Sequence, residues 1–180
     1  MNNRKRKGLW LIGIGVAILL IAGIAQWTGN RAPAISNFAE CASAGNPVME
    51  SYPRQCKTSN GTVFREDIGN ELEKDNLIRI AEPRPNASIV SPLTVKGVAR
   101  GGWFFEASFP VRLVDSSGNE IAVGVAHTKE NWMTAEFVPF ETTLTFEKSS
   151  TDTGELLLQN DNPSGLPEYE DALRVPVRFR

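Results

Sequence analysis

The side chains of this chain best suited to chemistry are two cysteines, Cys41 and Cys56, and a single histidine, His127. A nucleophilic serine or cysteine needs a base such as this histidine beside it, and the chain has no Gly-x-Ser-x-Gly elbow. A structural zinc site needs about four ligands, and this set is too small for one. We interpret His127 as a solvated residue where a predicted strand ends. The sequence therefore predicts a protein that is not an enzyme, with no catalytic residue, metal site or cofactor.

Cys41 and Cys56 are predicted to form a disulfide. Both follow an apolar N-terminal segment, and an even number of cysteines in an exported chain is typical of a disulfide framework. Closing a loop of this length stabilises a fold by about 3 kcal/mol in the chain-entropy model. The surrounding unit, residues 40–66, is too short to bury much core, so a covalent crosslink is the expected means of stabilising it.

Carboxylates also cluster between residues 161 and 171. Oxygen-rich loops can bind Ca²⁺, but the spacing fits no EF-hand and two prolines stiffen the segment differently. The sequence predicts a solvated loop between the last two strands.

The candidate binding surface is aromatic. Strand alternation would place Trp103 and Phe105 on one face, which we assign to the core, and Phe104 on the other. Trp132 lies in a predicted loop. Exposed large rings are typical of binding surfaces, whereas inward rings fill sandwich cores. Phe104 and Trp132 are therefore the candidate surface residues, with burial in the core as the alternative for both.

The N-terminus predicts a membrane anchor. Residues 8–27 carry no charge and would form a helix about 30 Å long, which matches the hydrocarbon core of a bilayer. Four basic residues in the segment 1–7 favour a cytoplasmic N-terminus, and Trp10 and Trp27 suit the two interfaces. The sequence predicts a single-pass protein of the cell membrane with an extracytoplasmic C-terminal domain.

A cleaved secretory signal is the alternative, with cleavage after Ala25 or Ala34, although the apolar run is longer than such signals usually have. Either interpretation exports the rest of the chain. Without the four N-terminal bases, the chain has 15 basic and 21 acidic residues, so the exported part is near −6. This acidity disfavours nucleic acid and anionic lipid headgroups as partners.

Composition and periodicity divide the exported part. Residues 28–39 are a predicted linker and residues 67–76 a polar connector or short helix, on either side of the unit 40–66. From residue 77 to 180, apolar residues recur with a period of two, which is typical of strands. About seven or eight short strands separated by turns predict a mainly β fold, an antiparallel two-sheet sandwich.

The stretch from Ile80 to Phe179 resembles the immunoglobulin-like domain associated with bacterial spore germination. The resemblance depends on four phrases in order: SPLTVKGVARGGWFFEASFPVRLVDSSGNEIAVGVAH, NWMTAEFVPFETTLTF, GELLLQNDNPSGLPE and PVRF. It implies an immunoglobulin-like sandwich on an exported bacterial protein, often behind an N-terminal anchor. It brings no catalytic residues, and the fold alone does not imply a role in germination.

From these observations we expect a non-enzymatic, membrane-anchored envelope protein. Its sandwich would act as a binding or assembly module for an envelope protein or a cell-wall component. The alternative is a regulator or inhibitor of an exported enzyme, acting through the Tyr52-Pro53-Arg54 loop that the disulfide closes.

Overall fold

The computed structural model describes residues 34–147 and 149–180. The predicted basic tail 1–7, the predicted transmembrane helix 8–27 and the first half of the predicted linker 28–39 lie outside the described residues. Within the described ranges, no helix combines the length and the apolar character needed to cross a bilayer.

The residues around the cysteines form a small unit of one helix and three short antiparallel strands. Its elements are α1 (Phe38–Ser43), β1 (Val48–Met49), β2 (Gln55–Lys57) and β3 (Val63–Arg65), with sheet order β1-β2-β3. The Asn37 side chain caps α1 by accepting a hydrogen bond from the Glu40 amide at 2.9 Å. Cys41 of α1 is bonded to Cys56 of β2, which confirms the predicted disulfide, and both residues are fully buried.

Eight strands follow, within the predicted number. In chain order they are β4 (Ile78–Glu82), β5 (Ser88–Ile89), β6 (Leu93–Arg100), β7 (Ser108–Asp115), β8 (Glu120–His127), β9 (Phe137–Leu144), β10 (Thr153–Gln159) and β11 (Ala172–Phe179). A short helix, α2 (Glu71–Lys74), precedes them, and 3-10 turns occupy Gly101–Trp103 and Pro167–Tyr169.

These strands form one hydrogen-bonded ladder that folds over itself. The order is β4-β6-β9-β8-β7-β10-β11-β5, and β8 meets β9 only where His127 pairs with Glu141. On either side of this junction the strands form two layers, because the Phe109 ring of β7 contacts the Phe140 ring of β9, 4.9 Å between centroids. The architecture is mainly β and consistent with the predicted immunoglobulin-like sandwich. It is not wholly antiparallel, because β5 runs parallel to β11.

The core lies between the layers and follows the predicted alternation. In β7, Phe109, Val111 and Leu113 are fully buried. In β11, Val175 and Val177 point inward, Pro176 lies between them, and the exposed Arg174 and Arg178 flank the pair. Burial of such a set is the main favourable term in the stability of the sandwich.

The connector closes the outer edge of β11. Asn70 donates from Nδ2 to the Ala172 carbonyl oxygen at 2.9 Å, and its Oδ1 accepts from the Arg174 amide at 2.7 Å. The Asn70 amide also donates to the Arg174 carbonyl oxygen at 3.4 Å. Further along the same strand, the Asn86 amide donates to the Pro176 carbonyl oxygen at 2.7 Å. We call residues 67–76 the edge clasp, because they pair backbone groups that an edge strand would otherwise expose.

The clasp approaches the strand so closely that one position must be glycine. Gly69 has φ +66°, and a Cβ there would overlap the carbonyl oxygen of Arg174 and lie 3.2 Å from Cδ of Pro176. Both the backbone conformation and the contact therefore exclude a side chain.

Gly69→Ala should destabilise the protein more than a matched substitution in open space. Gly165 has nearly the same φ, +65°, but nothing lies within 4 Å of its Cβ position. Gly165→Ala should cost about 1–2 kcal/mol for the left-handed conformation alone, and Gly69→Ala about 2–4 kcal/mol because the clash is added. Urea unfolding of both variants measures the difference. Equal losses of unfolding free energy would show that the edge clasp is not in close contact with β11 at Gly69.

Candidate binding surface at the loop end

Three loops meet at one end of the sandwich because of the strand directions. Residues 101–107 join β6 to β7, residues 128–136 join β8 to β9, and residues 160–171 join β10 to β11. The strand registers place Arg100 beside Phe137, Ser108 beside His127 and Gln159 beside Ala172, so all three loops leave the same edge of the fold. We call this surface the loop end. Loops gathered at the end of a sandwich are where immunoglobulin-like domains commonly bind ligands.

Backbone contacts hold the first two loops together. A Cβ on Gly101 would overlap the carbonyl oxygens of Trp132 and Thr134, so the two loops touch through main chain. On the other side, the Thr128 amide donates to the Ala107 carbonyl oxygen at 3.0 Å.

The third loop is attached to the first. The Asp161 amide donates to the Trp103 carbonyl oxygen at 3.1 Å. Within the loop, Asn160 donates from Nδ2 to the Tyr169 carbonyl oxygen at 2.9 Å and accepts from the Asp171 amide at 2.8 Å. The loop end is therefore one hydrogen-bonded assembly. The prediction of a loop at 161–171 is confirmed, and its residues from Pro163 to Glu170 are exposed.

The predicted positions of Phe104 and Phe105 are reversed. Phe104 is only 4% exposed and its ring lies 5.2 Å from that of Phe109, edge to face, whereas Phe105 is 42% exposed. The cause is a tight turn: Phe105 pairs with Ser108, and the two residues between them have positive φ, 49° and 61°. Because no strand runs through residues 103–106, alternation does not apply there. For Phe104 the alternative of burial in the core is correct, so Phe104 is not part of the surface, and the prediction that Phe105 lies in the core is wrong.

Trp132, the other candidate, is half-buried and packs against the core, so it presents only part of its ring. Its neighbour Met133 is 75% exposed. Sequence reasoning missed Met133, and it also missed two exposed apolar residues of the third loop, Leu166 at 46% and Tyr169 at 61%. Their positions between two predicted strands were the available signal, because loop residues without a core-facing period are normally exposed.

Truncation of Phe104, which packs into the core, should destabilise the protein, whereas truncation of its neighbour Phe105 should have little effect. Phe104→Ala should lower the free energy of unfolding by about 3–5 kcal/mol through cavity formation. Phe105→Ala should change it by less than about 1 kcal/mol, because the ring is already solvated. Chemical unfolding monitored by circular dichroism compares the two variants, and a larger loss for Phe105→Ala would contradict the assignment.

The loop closed by the disulfide is engaged with the rest of the chain. Tyr52 donates from its hydroxyl to the Glu71 carboxylate and accepts from Nη2 of Arg84 at 2.7 Å. Arg84 also donates from Nη1 to the buried Glu71 at 2.6 Å. The network joins the small unit, the edge clasp and the residues after β4.

A second ion pair fixes the same loop. Arg54 forms two parallel hydrogen bonds with Glu66, at 2.8 Å and 2.6 Å. The hydrogen bond from Arg54 lowers the pKa of the Glu66 carboxyl, and the same bond raises the pKa of Arg54. Bidentate pairs of this kind add geometric specificity.

Burial, together with the hydrogen bond to Glu71, raises the pKa of Tyr52 to about 12. The folded state therefore holds the phenol proton more tightly than an unfolded chain, whose tyrosines titrate near 10. This contribution to stability is complete below about pH 10 and is lost as the pH rises toward 12. Subtracting the titration of Tyr52→Phe from that of the parent should give a tyrosinate absorbance step near pH 12. A step at about pH 10 would contradict the network.

His127 is exposed at the end of β8, as predicted. It borders an open groove of about 690 Å³ on the outer face of β4, β6 and β9, together with Lys96, Lys129, Glu130 and Glu141. Within the described ranges, its imidazole makes no hydrogen bond, and no serine or cysteine lines this groove.

One comparison with known proteins gives a match. The family model described as the immunoglobulin-like domain of bacterial spore germination matches residues 77–165. The match begins just before β4 and ends inside the third loop, before β11. No curated protein and no solved structure matches the chain.

Proposed function

The C-terminal domain of this chain belongs to the immunoglobulin-like domains of bacterial spore germination, and from this we propose a membrane-anchored, exported protein that acts by binding rather than by catalysis. In this proposal residues 8–27 cross the cell membrane once and the N-terminus stays in the cytoplasm. The sandwich then acts outside as a binding or assembly module for another envelope component.

The disulfide is the observation that best supports a location outside the cytoplasm. Cys41 and Cys56 are bonded and completely buried inside the small unit. Such bonds persist in oxidising compartments and are rare in the cytosol. The uncharged segment and the basic residues before it supply a route to that compartment and an orientation for it.

The loop end supports the binding role. It presents four large apolar side chains to solvent on a hydrogen-bonded framework: Phe105, Met133, Leu166 and Tyr169. The small unit meets the sandwich through Arg84 and Asn86, which follow β4, at the end opposite to the loop end.

The absence of catalysis remains a proposal, supported by the surroundings of His127. Among the described residues, the groove beside it gathers charged side chains on an open sheet face and contains no serine or cysteine for the imidazole to activate. Nucleophilic catalysis by a serine or cysteine needs that pairing.

The inhibitor alternative has less support. A loop that inserts into an exported enzyme must project its side chains, but the Tyr52 hydroxyl and the Arg54 guanidinium are bonded to Glu71, Arg84 and Glu66 of the same chain. These contacts favour the small unit as part of the scaffold.

Membrane fractionation of cells that express the full chain tests the proposal. The parent should stay in carbonate-washed membranes. Val16→Arg with Leu20→Arg should release it, because each arginine at the centre of a span costs about 2.5–3.5 kcal/mol. Ser116→Arg with Ser117→Arg, in an exposed turn, is the charge-matched control and should stay in the membrane.

Alkylation of the cysteines in the same cells tests whether the C-terminal part of the chain lies in an oxidising compartment. Cys41 and Cys56 should resist alkylation until a reductant is added to denatured protein. A mature protein that begins after Ala25 or Ala34 would show that the N-terminal segment is a cleaved signal and not an anchor. Thiols that alkylate without reductant would overturn export.

A further inference from the structure

The charge of the loop end differs from that of the rest of the sandwich. Its three loops contain seven acidic residues and one basic residue, Lys129. The acidic residues are Glu106, Glu130, Glu136, Asp161, Glu168, Glu170 and Asp171. Within the described residues only Asp171 has an ion-pair partner, Lys74 at 2.6 Å. The connections at the opposite end contain two acidic and two basic residues, so of the two ends only the loop end has an acidic excess.

Exposed apolar side chains lie among these carboxylates. Met133 and Tyr169 are 75% and 61% exposed, and Leu166 and Phe105 are 46% and 42% exposed. Solvated loops seldom need several large apolar residues, and such residues inside a charged rim are typical of protein-binding surfaces.

A buried donor without an acceptor lies beneath the loops. Trp103 is 4% exposed, and its indole N–H has no hydrogen-bond acceptor among the described residues. Buried polar groups in folded proteins nearly always have a partner. Trp103 also lines a cavity of about 490 Å³ with Leu77, Arg100 and Asn160. The nitrogen itself is buried, so a partner's carbonyl group would supply the missing acceptor once the loops shift on binding.

We propose that the loop end binds a basic segment of another protein that carries apolar side chains as well as lysine or arginine. Cations of this segment would meet the unpaired carboxylates, its apolar side chains would cover Met133, Phe105, Leu166 and Tyr169, and a backbone carbonyl would accept from Trp103. The proposal rests on the binding role proposed above and adds the chemistry of the partner.

Charge complementarity selects this partner over the other polymers of an envelope. Anionic wall polymers and anionic lipid surfaces would be repelled by the same carboxylates, because like charges juxtaposed at an interface disfavour binding. A basic segment would instead be steered toward the loop end, and its association would weaken with ionic strength.

The test uses the full chain in nanodiscs of neutral phosphatidylcholine. The probes are a labelled peptide of Lys-Leu-Ser repeats and its counterpart of Glu-Leu-Ser repeats. We expect the lysine peptide to bind with an affinity that falls as salt is raised, and the glutamate peptide not to bind.

Matched variants locate the site. Glu168→Lys with Glu170→Lys should weaken binding of the lysine peptide by about tenfold or more, whereas Glu147→Lys with Asp152→Lys, at the opposite end, should not. Leu166→Ser should weaken binding by at least about threefold, whereas Val63→Ser, at nearly equal exposure in the small unit, should leave it unchanged. Trp103→Phe removes the N–H and keeps a ring. It should weaken binding, with circular dichroism verifying its fold.

Three outcomes would overturn the proposal: equal binding of both peptides, no binding of the lysine peptide, or equal effects of the two charge reversals. None of these outcomes changes the result expected from the membrane fractionation or the thiol alkylation described above. A failure of this inference is therefore distinguishable from a failure of the anchored, exported location.

Discussion

The pairing of Asn70 with the edge of β11 is the interaction on which the rest of the described structure depends. The eight-stranded ladder folds over itself, and its β11 side would expose unpaired backbone groups without the Asn70 and Asn86 contacts. Helix α2, which follows Asn70 directly, carries Glu71, the anchor point for Tyr52 and Arg84. The family match begins only at residue 77, so residues outside the matched range complete this sandwich and attach the small unit.

The small unit and the loop end differ in how their charged and apolar groups are paired. The small unit has little hydrophobic core. It is stabilised by the Cys41–Cys56 disulfide and by the ion pair between Arg54 and Glu66. The loop end has the opposite character, since most of its carboxylates lack ion-pair partners within the described residues and its apolar side chains are solvated. Charged groups paired within the chain stabilise the scaffold, whereas the unpaired groups of the loop end lie on loops that the strands hold in place.

The reversal of Phe104 and Phe105 shows how a single turn changes a surface. Two residues with positive φ bring the chain back on itself at Phe105, which directs Phe104 toward Phe109 and Phe105 toward solvent. No glycine stands at Glu106 or Ala107, so the sequence carried no signal for this conformation. The exposed members of the aromatic cluster could therefore be identified only from the fold.

By itself, the sequence determined the features that depend on local pattern or on composition. Alternation identified the inward faces of β7 and β11, Gly118 marked the hairpin turn where its φ is +84°, and an even number of cysteines behind an apolar N-terminal segment indicated their bond. Tertiary structure alone decided which ring of Trp103-Phe104-Phe105 faces solvent, that Asn70 closes β11, and that Tyr52 is bonded to Glu71. These last contacts join residues far apart in the chain, such as Asn70 and Arg174, and periodicity reports only which face a residue occupies, not what lies opposite.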